Sequence, residues 1–298
     1  MIDLKYHITS LIAVFLALGV GILIGSTIVG GNVLVDQQKK MIDRLEEQFY
    51  VLKEREKDLV EENKYKNQII SNYENYSQAV LPLLVKNRLA GYRIAVVVSG
   101  DRDIPAGMLN ALSIAGAEVI SKTVVLSNME LKDDGLREKL ADYYDLDDDV
   151  KNDTLRSYIA SSVGAVIANE ADITAIDMLQ GDELVKFAGV ENEIVDGVIL
   201  LGGSNDLNRF FVRSFDQALI DYLVSRNIKV FGVENSEVNY SYMEHYQKSN
   251  ISTIDNVDMS PGQISLIFTI EGEAGNYGVK PTAQKFMPSL PVDNILER

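Results

Sequence analysis

Residues 6–35 contain no Asp, Glu, Lys or Arg, an uncharged run of 30 positions bounded by Lys5 and Asp36. A helix needs about 20 predominantly apolar residues to cross a bilayer, so this run is long enough to span one. A secretory signal peptide is the competing reading. Its apolar core is usually about 7–15 residues and ends at a small-x-small cleavage site. Here the apolar stretch covers residues 8–29 and no Ala-x-Ala closes it. Residues 1–35 are therefore read as an uncleaved transmembrane anchor.

Within the anchor, Ala13, Ala17, Gly21 and Gly25 recur every fourth residue and share one face of a helix. Small residues in such a strip let helix backbones approach closely in lipid, where packing drives association. Gly and Ala are also simply frequent in membrane helices, so the strip reads either as a helix-packing face or as ordinary composition.

The next segment, residues 36–90, is highly charged yet balanced, with 10 acidic and 10 basic side chains. With Val35 at an a position, the a and d sites run on through Gln38, Ile42, Leu45, Phe49, Leu52, Glu56, Leu59, Asn63, Lys66, Ile70, Tyr73, Ser77 and Val80. Nine of these 14 are apolar, and the polar intrusions concentrate between Glu56 and Lys66. This predicts a coiled-coil stalk with an imperfect seam, led by Ile42, Leu45, Phe49, Leu52 and Leu59. A lone polar helix of about 45 residues, roughly 65–70 Å long, has little to hold it. The expected partner is a second copy, parallel because both share the membrane. Pro82 is expected to break the pattern, with a short helix over residues 82–90 ending at Gly91.

Residues 91–298 carry 33 acidic and 17 basic side chains, hence the whole net charge of −16. The period changes here. Apolar runs of strand length at residues 94–99, 118–126, 197–201 and 229–233, with a shorter one at 252–254, alternate with helical patterns at residues 105–115, 210–225, 241–247 and 261–270. Continuous apolar strands alternating with helices imply a parallel sheet covered on both faces. The expected fold is an α/β three-layer Rossmann-like domain with a mainly parallel sheet.

Composition narrows the chemistry. Absence of cysteine excludes disulfides, zinc fingers, iron–sulfur clusters and a thiol nucleophile. A pI near 4.6 argues against nucleic acid as a partner. No Walker loop, GxGxxG, Gly-x-Ser-x-Gly or His-Glu-x-x-His occurs, and the two histidines are His7 and His245. The loop Gly202, Gly203, Ser204, Asn205, Asp206 reads as a plain strand-to-helix turn or as an anion cradle built from backbone N–H groups. The acidic stretch 130–149 departs from an EF-hand at both Val150 and Arg156 and is expected to be a solvated, mobile insertion. Met243 and His245 are the one local thioether–imidazole pair; two apart on a helix, they diverge unless other side chains such as Met259 or Met287 join them. No catalytic, cofactor-binding or metal-ligating residue is assigned, and the chain is read as no enzyme.

The N-terminal segment Ile2-Asp-Leu-Lys-Tyr-His-Ile-Thr-Ser-Leu-Ile-Ala-Val-Phe-Leu-Ala-Leu-Gly-Val-Gly-Ile-Leu-Ile-Gly-Ser26, the helix after it, and the C-terminal Gly262-Gln-Ile-Ser and Tyr277-Gly-Val-Lys-Pro-Thr282 stretches resemble the MctB-type copper transporter family (mycobacterial copper transport protein B-like). The resemblance covers nearly the whole chain. It implies a single-pass cell-envelope protein of copper homeostasis or export, with the α/β domain outside the cytoplasm. No ligand motif carries over residue by residue, so copper enters through the resemblance alone. One spanning helix without a barrel pattern does not by itself line a β-barrel pore. Lys39, Lys40 and Arg44 after the helix outnumber Lys5 before it and by charge alone favour a cytoplasmic domain. Large domains can translocate despite such charges, and the resemblance points outward, which is the orientation adopted. The alternatives are a scaffolding envelope protein that binds a protein partner without copper, and an α/β enzyme acting on an envelope sugar or nucleotide.

Overall fold

Helix α1, Leu4–Gly30, is built from the uncharged run, and its side chains are exposed throughout their described length. It includes a candidate membrane span, Leu4–Ile28, of mean hydropathy 2.5. The computed structural model describes residues 4–30, 33–147, 149–171, 173–189 and 193–290. Gly31 and Asn32 of the apolar run, and Asp148 of the acidic stretch, lie outside them. The chain divides into two compact units, Met1–Ser71 and Asn72–Arg298.

The first unit holds α1 and most of α2, the 53-residue helix Val33–Val85. Every side chain of α2 described before Ile69 is exposed, including Ile42, Leu45, Phe49, Leu52 and Leu59. The surface ion pairs Lys57–Glu61 and Lys66–Glu62 follow i,i+4 spacing. Such pairs contribute only a few tenths of a kcal/mol each, about 0.3–0.5, too little to hold so long a helix.

The second unit begins with the last turns of α2, which continue through Pro82 rather than stopping there. Proline inside a helix costs about 3 kcal/mol. Burial of Leu81, Leu84 and Val85 against the α/β core offsets it, at about 1.5–3 kcal/mol per side chain. The Glu74 carboxylate reaches the start of α9 (Ser260–Glu271), where Oε1 accepts from Ser260 N at 3.1 Å and Ser260 Oγ at 2.6 Å. After α2, Arg88 pairs with Glu271 at 2.6 Å and covers the Phe268 ring at 4.2 Å.

Seven strands form one sheet: β1 (Arg93–Val98), β2 (Glu118–Val125), β3 (Val185–Gly189), β4 (Gly197–Leu201), β5 (Lys229–Val233), β6 (Ser252–Ile254) and β7 (Asn276–Tyr277). Their order is β3-β2-β1-β4-β5-β6-β7, and all neighbours are parallel except β3, which runs antiparallel to β2. The apolar runs are explained by burial on both faces. Ala95, Val97, Val198 and Leu200 enter one hydrophobic cluster, with side chains of α5 (Asn152–Ile167), α7 (Gln217–Ser225) and α8 (Met243–Lys248). Ile94, Val96, Val98, Ile199 and Leu201 enter the other, with α3 (Ala106–Ile114), α9 and the end of α2. The sheet is thus covered by helices on both sides, as the alternation of strands and helices predicts.

The acidic stretch departs from its expectation as a mobile insertion. A 3-10 turn, Ser127–Glu130, leads into it, and it contains α4, Asp134–Tyr143, which Asp133 caps by accepting from Leu136 N at 2.7 Å. Met129, Leu131, Leu140 and Ala141 are fully buried. A few apolar anchors suffice to order a charged segment in which Asp133, Asp134, Glu138 and Asp142 are exposed. α5, α6 (Ile173–Gly181) and the antiparallel edge strand β3 follow, none of which the sequence reading placed.

Candidate functional site

Open α/β sheets place ligands beyond the carboxyl ends of the strands, where the strand order reverses. Here the reversal lies between β1 and β4. The loops after them, beginning at Ser99 and Gly202, meet one another. Ser99 N and Gly100 N both donate to Leu201 O, at 3.0 and 3.2 Å. A Cβ at Gly100 would collide with the carbonyl oxygen of Gly203, so only glycine permits this approach.

Four of the five backbone donors of residues 202–206 are already used. Gly202 N donates to Val233 O, Ser204 N to Tyr240 O, Asn205 N to Asp101 Oδ2 at 2.8 Å, and Asp206 N to Ser204 Oγ at 3.0 Å. An anion cradle needs several free N–H groups pointing one way. The plain-turn reading is the one observed, with Asp206 capping the 3-10 turn Leu207–Arg209 by accepting from Asn208 N at 2.9 Å. Behind the loop, the rings of Tyr242 and Tyr246 occupy the space a side chain at Gly202 would need.

Under this corner lies a buried carboxyl. The helix after β4 opens with a π-helical segment, Val212–Asp216, before α7. Asp216 is fully buried, and its Oδ2 accepts from the Tyr246 hydroxyl at 3.1 Å. Ser99 Oγ lies beside both groups but completes a hydrogen bond with neither; it and Asp216 Oδ1 are unpartnered among the described residues. Burial pushes the Asp216 carboxyl up to about 7, with the Ser99 and Tyr246 hydroxyls pulling the other way. Burial, and then Asp216, raise the Tyr246 phenol well above its ordinary range.

A second buried carboxylate is fully satisfied. Glu234, at the end of β5, takes Lys280 Nζ at 2.6 Å and Ser241 Oγ at 2.6 Å on Oε1, and Tyr242 N at 2.9 Å on Oε2. Asp255, after β6, accepts from Val279 N at 2.7 Å and Lys280 N at 3.0 Å. Gly278, at φ +142°, lies so close to Asp255 that a Cβ would strike its carboxylate. The C-terminal Tyr277-Gly-Val-Lys-Pro stretch is therefore a strap held by two acidic side chains. Sequence reading found the stretch but not its partners.

The other sequence candidates stay apart. Ala13, Ala17, Gly21 and Gly25 lie exposed on α1, with open space at both glycines. Met243 is buried in the cluster on one face of the sheet, whereas Met287 packs against the cluster on the other. His245 sits edge-on to Phe210, 5.9 Å between ring centres, and burial holds its imidazole below the usual range, helped by Arg213 and Lys248. A cleft of about 560 Å³ is lined by Glu130, Lys132, Asp133, Leu136, Asp182 and Glu183, among others. Three of its four acids are engaged: Glu130 with Lys132, Asp182 with Lys139, and Asp133 with the α4 N-terminus. Among the described residues no group of three or more His, Cys, Asp or Glu could hold a metal ion.

Sequence reasoning missed Asp216, Tyr246, Glu234 and Asp255, each an isolated acid or aromatic without a motif around it. Against known proteins, a search of curated sequences gives no match. A family model described as "Copper transport outer membrane protein, MctB" matches residues 1–288, which takes in the apolar helix, the long helix and the α/β domain together. The chain belongs to the MctB family of copper transport outer membrane proteins.

Proposed function

We propose that the chain is a membrane-anchored, homodimeric envelope protein of copper homeostasis, whose non-catalytic, Rossmann-like α/β domain stands outside the cytoplasm on a coiled-coil stalk. The family match across anchor, long helix and domain carries the copper-transport reading. The dimer is supported by the exposed row Ile42, Leu45, Phe49, Leu52 and Leu59 on a helix that ion pairs alone would not hold. A non-catalytic role is supported by the strand-order reversal, where protein groups use four of the five backbone donors of residues 202–206 and fill the space beside Gly100 and Gly202.

The experiment is a deletion strain, with copper tolerance and cell-associated copper as readouts. Lower tolerance with altered copper content is the expected outcome; no change in either would sink the copper role. Orientation has its own measurement. As the chain lacks cysteine, Ser127→Cys provides a single thiol for a membrane-impermeant reagent. Labelling of intact cells is expected, and labelling only after lysis would reverse the orientation.

The second reading is a scaffold that binds a protein partner without copper. It is compatible with the acidic α/β domain, whose 33 acidic side chains against 17 basic ones offer a surface for a basic partner. Saturable copper(I) binding by the purified full-length chain would argue against it.

A further inference from the structure

We propose that Asp216, Ser99 and Tyr246 form a buried proton-binding site that favours the closed position of the loop over residues 202–206. Asp216 is fully buried, and Ser99 is 1% exposed. Each leaves one oxygen unpartnered, Asp216 Oδ1 and Ser99 Oγ. Leaving a buried polar atom unpaired costs about 1–3 kcal/mol, more when it is charged. A proton on Oδ1 removes the buried charge, which neither a cation nor a second completed hydrogen bond offsets here. Oδ2 meanwhile keeps the Tyr246 hydroxyl as its donor.

The surroundings supply no cation to favour the ionised form. The groups acting on Asp216 are Ser99, at the end of β1, and Tyr246, on α8. Tyr242, the phenol just before α8, feels Asp216 as a like charge would be felt. Arg213, on the same π-helical segment, acts on His245 and Glu244 instead. From α5, Arg156 lies over the Phe211 ring at 4.5 Å and pairs with Asp153, while Ser157 holds the Ser214 carbonyl. The π-helical turn adds one residue to the helical register, and such turns recur at functional sites. Here it carries the carboxyl into the corner.

The link to the loop is direct packing. The Tyr246 hydroxyl that donates to Asp216 also fills the space beside Gly202. On ionisation the O–H bond of Asp216 breaks and the proton passes to water. The charge left behind is relieved by admitting water, and the loop over Gly202 is the layer that must lift.

The sign follows from linkage. The folded carboxyl holds its proton up to about pH 7, whereas the unfolded or opened one loses it near 3.8. The closed form is therefore favoured most in acid. Its advantage falls by up to about tenfold per pH unit between about 4 and 7, and levels off above.

The test uses the full-length chain in detergent. Infrared titration of the wild type should show a protonated carboxyl band lost near neutral pH and missing from Asp216→Asn. Hydrogen exchange at residues 202–206, corrected for the intrinsic rate, should lose protection over the same interval in the wild type and stay flat in the variant. A wild type with no carboxyl titrating near neutrality, or a variant that keeps the band or the pH-dependent exchange, overturns the proposal. Should Asp216→Asn fail to fold, the wild-type titration and the exchange profile of Ser99→Ala decide. Ser99→Ala removes a hydroxyl that favours the ionised carboxyl and should move the transition to higher pH; an unmoved transition counts against the site.

Discussion

Glu74 and Ser260, 186 positions apart in the chain, are joined by two hydrogen bonds: the Glu74 carboxylate on α2 takes both the backbone N–H and the hydroxyl of Ser260. Met259, the residue preceding α9, offers no side-chain cap. The long helix thus supplies the negative acceptor that the N-terminus of α9 lacks locally. Gln78, one turn further along α2, donates to the same oxygen at 3.3 Å.

Glu74→Ala should lower the thermal stability of the full-length chain by about 1–2 kcal/mol, the usual effect of losing a cap. Glu74→Gln keeps an acceptor without the charge, so a smaller loss is expected. Equal Tm values for wild type and Glu74→Ala would show that the contact adds nothing.

Lys280→Met leaves the fully buried Glu234 without its cation. Removal of one partner of a buried pair costs about 3–5 kcal/mol, mostly because the other charge is stranded. Glu234→Gln in the same chain should recover part of that loss, since the neutral amide still accepts from Tyr242 N. Denaturant unfolding of the two single variants and the double measures the coupling. Strict additivity would refute the pairing.

Leu45→Cys and Leu52→Cys, each introduced singly, should give disulfide-linked dimers in membranes under mild oxidation. Both positions lie on the exposed apolar row of α2. Glu54→Cys, away from the row, is the control and should crosslink far less. Monomer alone from both seam variants would count heavily against the stalk dimer.

Met243→Leu and His245→Ala should leave copper tolerance at the wild-type level. Met243 is part of a packed core, where Leu for Met costs under about 1.5 kcal/mol. A sharp loss of tolerance in either, with expression unchanged, would restore the thioether–imidazole pair as a ligand set.

Most of the parallel sheet was legible in residues because burial on both faces leaves a signature that needs no knowledge of partners. The runs IAVVV and GVILL must be apolar throughout once helices cover each side. The antiparallel edge strand β3, with burial on few of its positions, has no such signature. α4 was hidden for a related reason, as its charge masks the few apolar side chains that anchor it.

The uncharged run, the heptad spacing and the strand–helix alternation were determined by sequence alone, since each follows from local periodicity and length. The passage of α2 through Pro82, the Glu74 cap on α9, the filled loops at Gly100 and Gly202, and the buried Asp216 were decided by tertiary structure. All four depend on residues far apart in the chain, brought together in contacts that no local pattern records.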